Sequence, residues 1–445
     1  MADARPHIVI VGGGYVGMYT AFRLQKKLHS REARVTVIDP FSFMTYQPFL
    51  PEAAAGSVEP RHVVVPLRRV LRKCSVVAGR VTKIDHGSRT VSVQMLEGGD
   101  DDLTYDELVV APGSVPRTVP IPGLRERGIG FHTLGEATYL RNHVLSRMDI
   151  ANSATDPGLK RRTLAFLFVG GGYAGIEVFA ELEDMAHSAM KYYPNLVASD
   201  MRWVLAEKAE RILPEVSKSL AAYTVNELGK RGMEVRLNTG LSSCTNGHVV
   251  LDDGTEFDAE TIVWTAGVKP SSLLGQTDLP LDGKKRLVCD ANLRVRGLTG
   301  AWSAGDCAAV PDLTKTAKDP NATCAPTAQH AVRQAKQLGD NIVASLRGES
   351  AQDYKHAYVG SVASLGLHKG VADVYGVKLR GYPAWFMHRT YHISRMPTLN
   401  RKLRIVTDWT IALFFRREVV SLGQLQNPRM AFEDAATPTD LHHEH

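Results

Sequence analysis

The chain has 445 residues, 44% of them hydrophobic and 22% charged, with a formal charge of +6; this suits two to four globular domains and excludes a disordered or fibrous chain. Its five cysteines (Cys74, Cys244, Cys289, Cys307, Cys324) are odd in number and show no CxxC spacing, so neither a metal site nor a disulfide framework is expected. No run of 18 apolar residues is present, and "MADARP" leads directly into "HIVIV" without a basic-then-apolar leader, so the expectation is a cytoplasmic protein without a spanning helix.

The β-branched run Ile8-Val9-Ile10-Val11 predicts a buried parallel strand. The loop after it, Gly12-Gly13-Gly14-Tyr15-Val16-Gly17, fits G-x-G-x-x-G and is expected to open a helix. In that pattern the first glycine makes the tight turn, the second lets the backbone approach a pyrophosphate, and the third lets helix and strand pack closely. The helix N-terminus offers free N–H groups and a positive dipole end to phosphates. A second strand, "ARVTVID", ends at Asp39, an acid placed for a ribose hydroxyl.

The same grammar returns 158 residues later. "RTLAFLFVG" is the strand, Gly170-Gly171-Gly172-Tyr173-Ala174-Gly175 the loop, and "IEVFAELEDMAHSAM" the helix. Strand "MRWVLAE" ends at Glu207, which would accept ribose hydroxyls and repel a 2′-phosphate, favouring NADH over NADPH. The second helix carries Glu177 where the first has Tyr19. Matched small-residue stretches follow, with Ala111-Pro112-Gly113 in "LVVAPGS" and Ala266-Gly267 in "IVWTAGVKP". Two dinucleotide folds imply two dinucleotides, and a flavin with a nicotinamide gives them a redox logic. "LTGAWSAGDCA" supports this, because Gly305-Asp306 at its end suits the ribityl chain of FAD. Tyr46, with Gln47 and Pro48, is expected to wall the flavin, and Val81 is grouped with the same nucleotide.

The order of these motifs resembles the two-dinucleotide-domain flavoproteins related to glutathione reductase. The disulfide reductases among them need a cysteine pair that "DPFSFMTYQPFLPEAAAG" lacks. Sulfide:quinone oxidoreductases need sulfur-carrying cysteines, and none lies between Cys74 and Cys244. "YQPFLPEAAAG", "GGGYAGIE" and "CAPTAQHAVRQAK" instead resemble the type II NADH:quinone oxidoreductases over almost the full length. That resemblance implies FAD and NADH as cofactors and a membrane quinone, menaquinone or ubiquinone, as acceptor. It places Glu177 near the nicotinamide–flavin contact and matches Ala328, Gln329, Ala331 and Gln334 to the family's A-Q-x-A-x-x-Q. Gln329 would then lie close to the isoalloxazine and the quinone headgroup; Gln334 is a further catalytic candidate, and Lys369 either lies under the isoalloxazine or is a surface lysine. The competing readings are a soluble NADH-dependent reductase of a ferredoxin-type or other electron carrier, and a flavin-binding sensor.

Nine Lys/Arg against one acid fall between Lys378 and Arg417, a net +8 that leaves −2 for the rest. With Trp385, Phe386, Tyr391, Trp409, Phe414 and Phe415 among them, and Pro397 dividing two helices, residues 382–418 are expected to lie on an anionic lipid surface at the cytoplasmic face of the membrane. A domain-closing helix pair or a homodimer interface is the alternative, and no nucleic-acid partner is expected. The layout expected is an FAD domain (1–120 and 291–360), an NADH domain (160–290) entered through a linker at 151–161, a membrane-association region (361–430) and a disordered tail (431–445). Removing residues 382–445 would release the protein from membranes.

Overall fold

The two glycine loops open two copies of one α/β topology. The computed structural model describes residues 5–356, 360–415 and 417–423, with Met430 and Glu433. The tail expected to be disordered lies, Glu433 aside, outside the described residues. In the first sheet His7–Val11 runs parallel to Arg34–Ile38 on one side and Glu107–Val110 on the other. Ser75–Val77 and Ala301–Ser303 form its edges. In the second sheet Ala165–Val169 runs between Arg202–Glu207 and Thr261–Trp264, with Glu234–Leu237 and Gly128–Gly130 outermost. Both central strands are buried along their whole length, as unbroken apolar runs covered on both faces should be.

The sheets differ in where their fifth strand comes from. The first takes it from late in the chain (301–303). The second takes it from before its own glycine loop (128–130), ahead of residue 160. The chain therefore crosses to the second sheet and returns. The antiparallel pair Ser114–Pro116 with Val268–Pro270 ties the two crossings together. Residues 151–161, expected as a linker, are largely helical: Leu134–Ser153 runs on to Pro157–Thr163, with Asp156 capping the second helix. An extended tether therefore does not lead into the second sheet.

On the return, helix Ala328–Leu346 packs along helix Tyr15–Lys27. Thr20 Oγ1 donates to the Ala335 carbonyl at 3.2 Å, and Arg23 donates to both oxygens of Asp340 at 2.8 and 2.9 Å. Three antiparallel strands follow, Gly360–Ser364, Gly370–Val374 and Val377–Arg380. Helices Tyr382–Arg395 and Leu399–Phe414 then flank Pro397, as the sequence predicts, because proline cannot continue a helix.

Candidate functional site

At the first loop Gly12 has φ +97°, and a Cβ on it would stand 2.4 Å from the Ala111 carbonyl oxygen. A Cβ on Gly17 would stand 1.8 Å from the Gly12 oxygen. At the second loop Gly170 has φ +114°, and a Cβ would meet the Ala266 nitrogen at 2.8 Å; a Cβ on Gly175 would meet the Gly170 oxygen at 1.9 Å. The Ala111-Pro112-Gly113 and Ala266-Gly267 stretches therefore sit against the loops they were matched to.

The middle glycines are the exception. Gly14 and Gly172, the N-caps of helices Tyr15–Lys27 and Tyr173–Ala189, face open space where a Cβ would be. Neither helix has a side-chain cap or an acid in its first turn. The uncapped N–H groups and the dipole end thus face two cradles that suit a pyrophosphate. Gly113 likewise faces open space, and the two tyrosines, Tyr15 and Tyr173, are the first residues of the two helices. Val16 closes over Gly305, where a Cβ would come within 2.7 Å of its Cγ2, while Ala174 is exposed.

Each strand-end acid braces its own loop. Asp39 Oδ2 accepts the Gly13 N–H at 2.8 Å, and its Oδ1 accepts those of Phe41 and Ser42 at 2.8 and 3.1 Å. Burial raises the Asp39 pKa above the ordinary carboxylate value against the pull of these amides. Glu207 Oε2 accepts the Gly171 N–H at 2.5 Å and Oε1 that of Ala209 at 2.7 Å. The acids are thus held at the loop edges, where a ribose joined to the pyrophosphate would lie.

The equivalent positions Tyr19 and Glu177 both reach helix Tyr382–Arg395, two turns apart. Tyr19 Oη donates to the Arg395 carbonyl at 3.2 Å. Glu177 Oε1 accepts the Ser364 N–H at 2.9 Å and lies 3.1 Å from His388 Nε2. One C-terminal helix therefore crosses both nucleotide helices, and it brings with it a polar cluster that the sequence alone does not reveal. Glu177 is 6% exposed and His388 1%. Glu52, from helix Leu50–Ala54, pairs with Arg389 at 3.0 Å and accepts the Trp409 indole N–H at 2.8 Å. Glu181 accepts the Ser364 hydroxyl at 2.8 Å and faces Arg417 at 3.5 Å; Arg417 also pairs with Asp184 at 2.9 Å. His392 stacks edge-on against His388 at 4.5 Å between ring centroids, and Tyr46 Oη donates to the His392 carbonyl at 3.1 Å.

The two imidazoles are driven apart in proton affinity. Burial opposes charge on His388, but the contact with Glu177 and the fields of Glu52 and Glu181 outweigh it, so its pKa is raised. Burial and the neighbouring His388 hold His392 well below the ordinary value. Burial raises Glu181, with Arg417 opposing and Glu52 and Asp184 reinforcing. A group with a raised folded-state pKa stabilises the fold below its unfolded value, about 6.5 for histidine, and loses that contribution as pH rises through the folded value. His392 acts in the opposite sense, and its contribution falls as pH drops below about 6.5. Thermal denaturation should therefore show stability declining on both sides of this region. His388→Gln should flatten the alkaline decline; an unaltered alkaline limb would contradict the assignment.

The other site residues fall into place unequally. Gln334 is buried, and its Oε1 accepts the Gly305 N–H at 2.8 Å. It fixes the Gly305-Asp306 turn, where Asp306 accepts the Ser114 hydroxyl at 2.7 Å. Gln329 points elsewhere and donates to the Gly360 carbonyl at 2.9 Å. Ala328 begins their helix behind the Thr327 cap. Val81 is half-buried on strand Gly79–Asp85 at a register irregularity. Lys369 lies in the turn between strands Gly360–Ser364 and Gly370–Val374. The tip of that turn, Gly366 and Leu367, packs on Ala180 and Asp184, toward the end of the helix remote from the glycine loop. All five cysteines are free, and no cluster of metal-ligating side chains is present among the described residues.

The sequence pattern of the pyridine nucleotide-disulphide oxidoreductase family matches residues 6–335. The type II NADH:quinone oxidoreductase of Staphylococcus aureus (strain NCTC 8325 / PS 47) is 31% identical over 396 residues, covering 87% of this chain and 94% of the relative. The chain belongs to the type II NADH:quinone oxidoreductases. The Staphylococcus epidermidis (strain ATCC 12228 / FDA PCI 1200) enzyme of the same name is 32% identical over the same coverage. Among solved structures, NDH2 from Plasmodium falciparum in complex with NADH superposes with a TM-score of 0.86 over 94% of this chain and all of that one, at 18% identity. The sulfide:quinone oxidoreductase of Aquifex aeolicus reaches 0.69 at 16% identity over 93% and 96%. At these identities the shared feature is the fold. This type II NADH:quinone oxidoreductase has no helix among the described residues long and apolar enough to cross a membrane.

Proposed function

We propose that the first glycine loop holds FAD, the second takes NADH, and the Glu177–His388–His392 cluster holds the protons needed when quinone is reduced. As a member of its family the chain oxidises NADH and reduces quinone with FAD as its cofactor. FAD, when bound, supplies a carrier that takes a hydride and returns two electrons. The protein's part is binding, orientation and proton supply. Gly12, Gly14, Gly17, Asp39 and Gly113, with Gln334 bracing Gly305-Asp306, would hold the flavin nucleotide. Gly170, Gly172, Gly175 and Glu207 would hold the exchangeable one. The observation that carries this reading is the pair of uncapped cradles, whose two helices are both reached by a single C-terminal helix.

Quinone reduction to quinol consumes two protons. Glu177 fixes His388 and favours its protonated form, and His392 stays neutral beside it with its backbone on Tyr46. A donor and an acceptor with separated proton affinities side by side can pass a proton. Steady-state assays with menaquinone, ubiquinone and a ferredoxin-type protein as acceptors test the whole reading. Turnover with a quinone and none with the protein acceptor is expected; the reverse would favour the soluble-reductase alternative.

Association with a lipid surface is the second part of the proposal. Helix Leu399–Phe414 shows solvent its apolar face: Leu399, Leu403, Val406, Leu413 and Phe414 recur at helical spacing and are all exposed, Phe414 to 78%. A contiguous exposed apolar stripe beside basic residues suits an interfacial helix. Trp385 and Trp409, expected at the lipid surface, point inward instead, Trp385 stacking on Arg389 and Trp409 bonding Glu52. Deleting 382–445 would also remove His388, Arg389 and Arg417 and strand Glu52 and Glu181. Leu403→Glu with Phe414→Glu is the sounder test. Flotation should show loss of vesicle binding with soluble-quinone turnover kept; undiminished binding would count against the stripe.

A further inference from the structure

Beside the apolar stripe lies a basic cleft that the reaction does not use. Arg61, His62 and Arg69 face Asn400, Arg401 and Arg404 across about 310 Å³, the small end of the range for ligand pockets. The acids nearby are committed. Asp408 Oδ2 lies 2.6 Å from His62 Nδ1 and accepts the Glu59 N–H at 3.1 Å. Glu59 pairs with Arg61 at 2.8 Å. Arg404 donates to Asn400 at 3.3 Å and stands 3.4 Å from His62 Nε2. Arg69 and Arg401 have no carboxylate partner among the described residues. Burial, then the like charges of Arg404 and Arg69, depress the Arg401 pKa.

The cleft continues into a trough of about 290 Å³ that shares Arg69, Asn400 and Arg401 and is walled by Phe22, Val65, Val70 and Pro397. A cationic cup opening into an apolar trough, next to Leu399 and Leu403, matches a molecule with an anionic head and an acyl body. Arginine suits the head because its planar fork binds phosphate oxygens in pairs. A free anion would leave the trough and stripe unexplained.

We propose that this cleft is a headgroup site for one anionic phospholipid, with the phosphate between Arg69 and Arg401 and the glycerol and upper acyl chains along the trough. The proposal rests on the membrane-docking reading above and makes it specific: the helix recognises a lipid as well as an interface.

The test uses full-length enzyme with phosphatidylcholine vesicles and with phosphatidylcholine–phosphatidylglycerol vesicles at 0.1 M salt. Native protein should prefer the anionic vesicles. Arg69→Gln with Arg401→Gln should bind them about 30-fold more weakly, the loss expected for two basic side chains at ~1 kcal/mol each. Its binding to phosphatidylcholine alone and its turnover with a water-soluble quinone should match native. Dihexanoyl phosphatidylglycerol should raise the native Tm and leave the double variant's unmoved, and inorganic phosphate at equal concentration should do neither. Undiminished preference for anionic vesicles in the double variant would overturn the site while leaving membrane docking intact. An equal response to inorganic phosphate would reassign the cleft to free anions. Native protein that binds neither vesicle would overturn docking and site together.

Discussion

Gly175→Ala is expected to purify with its flavin and to oxidise NADH at least a hundredfold less efficiently. The added Cβ would stand 1.9 Å from the Gly170 oxygen and 2.6 Å from Thr265 Oγ1, so helix Tyr173–Ala189 must move off its strand. That shift carries Gly172 and the uncapped N–H groups away from the cradle. A hundredfold loss in kcat/KM needs only about 3 kcal/mol, near the upper end of ordinary overpacking penalties of ~1–3 kcal/mol. The same change in the first copy, Gly17→Ala, meets the Gly12 oxygen at 1.8 Å and should have the opposite signature: protein that purifies with little or no FAD. The flavin content and NADH kinetics of the two variants therefore form a crossed pair. Flavin loss in Gly175→Ala with flavin kept in Gly17→Ala would reverse the assignment of the loops.

Glu177→Gln should lower quinone-coupled turnover by about a hundredfold, within the range that general acid–base groups contribute, while FAD stays bound. Glutamine is close in shape and can still accept the Ser364 N–H that Glu177 receives at 2.9 Å. What it cannot do is balance a charge on His388, whose raised proton affinity rests on this carboxylate, with Glu52 and Glu181 behind it. His392, on the same helix, also packs against His388, while Arg389 pairs with Glu52 and Arg417 with Glu181 behind them. Losing the Glu177 charge should lower the proton affinity of His388 and move the alkaline limb of the turnover profile to lower pH. A role confined to packing would leave that limb in place, and unchanged quinone turnover would remove Glu177 from the proton supply.

The parts legible in the sequence are local. A glycine loop, the strand before it and the acid ending the next strand lie within about forty residues, and each has a backbone reason to be there. The buried cluster has no such locality. Glu52, Glu181, His388 and Arg417 come from four separate segments, and only the fold joins them. One signal was available: Glu177, Glu181 and Asp184 share one face of a helix whose residues are mostly apolar, which a solvated face would not explain. Composition misled at Trp385 and Trp409, because aromatic and basic residues together describe a lipid surface and a cation–π packed interior equally well. Helical phase separates the two, since Leu399, Leu403, Val406 and Leu413 fall on one outward stripe while Ile405 and Trp409 face inward. The glutamines divide for a similar reason: five residues apart on one helix, Gln334 turns to Gly305 and Gln329 to Gly360.

On the proposed reading, two copies of one loop hold a resident flavin and a transient NADH in working contact. An anaerobic titration followed by absorbance puts this to the test. The purified protein should show a flavin spectrum that one equivalent of NADH per flavin bleaches and that added quinone restores. A flavin that NADH fails to bleach, or that stays bleached when quinone is added, would contradict it.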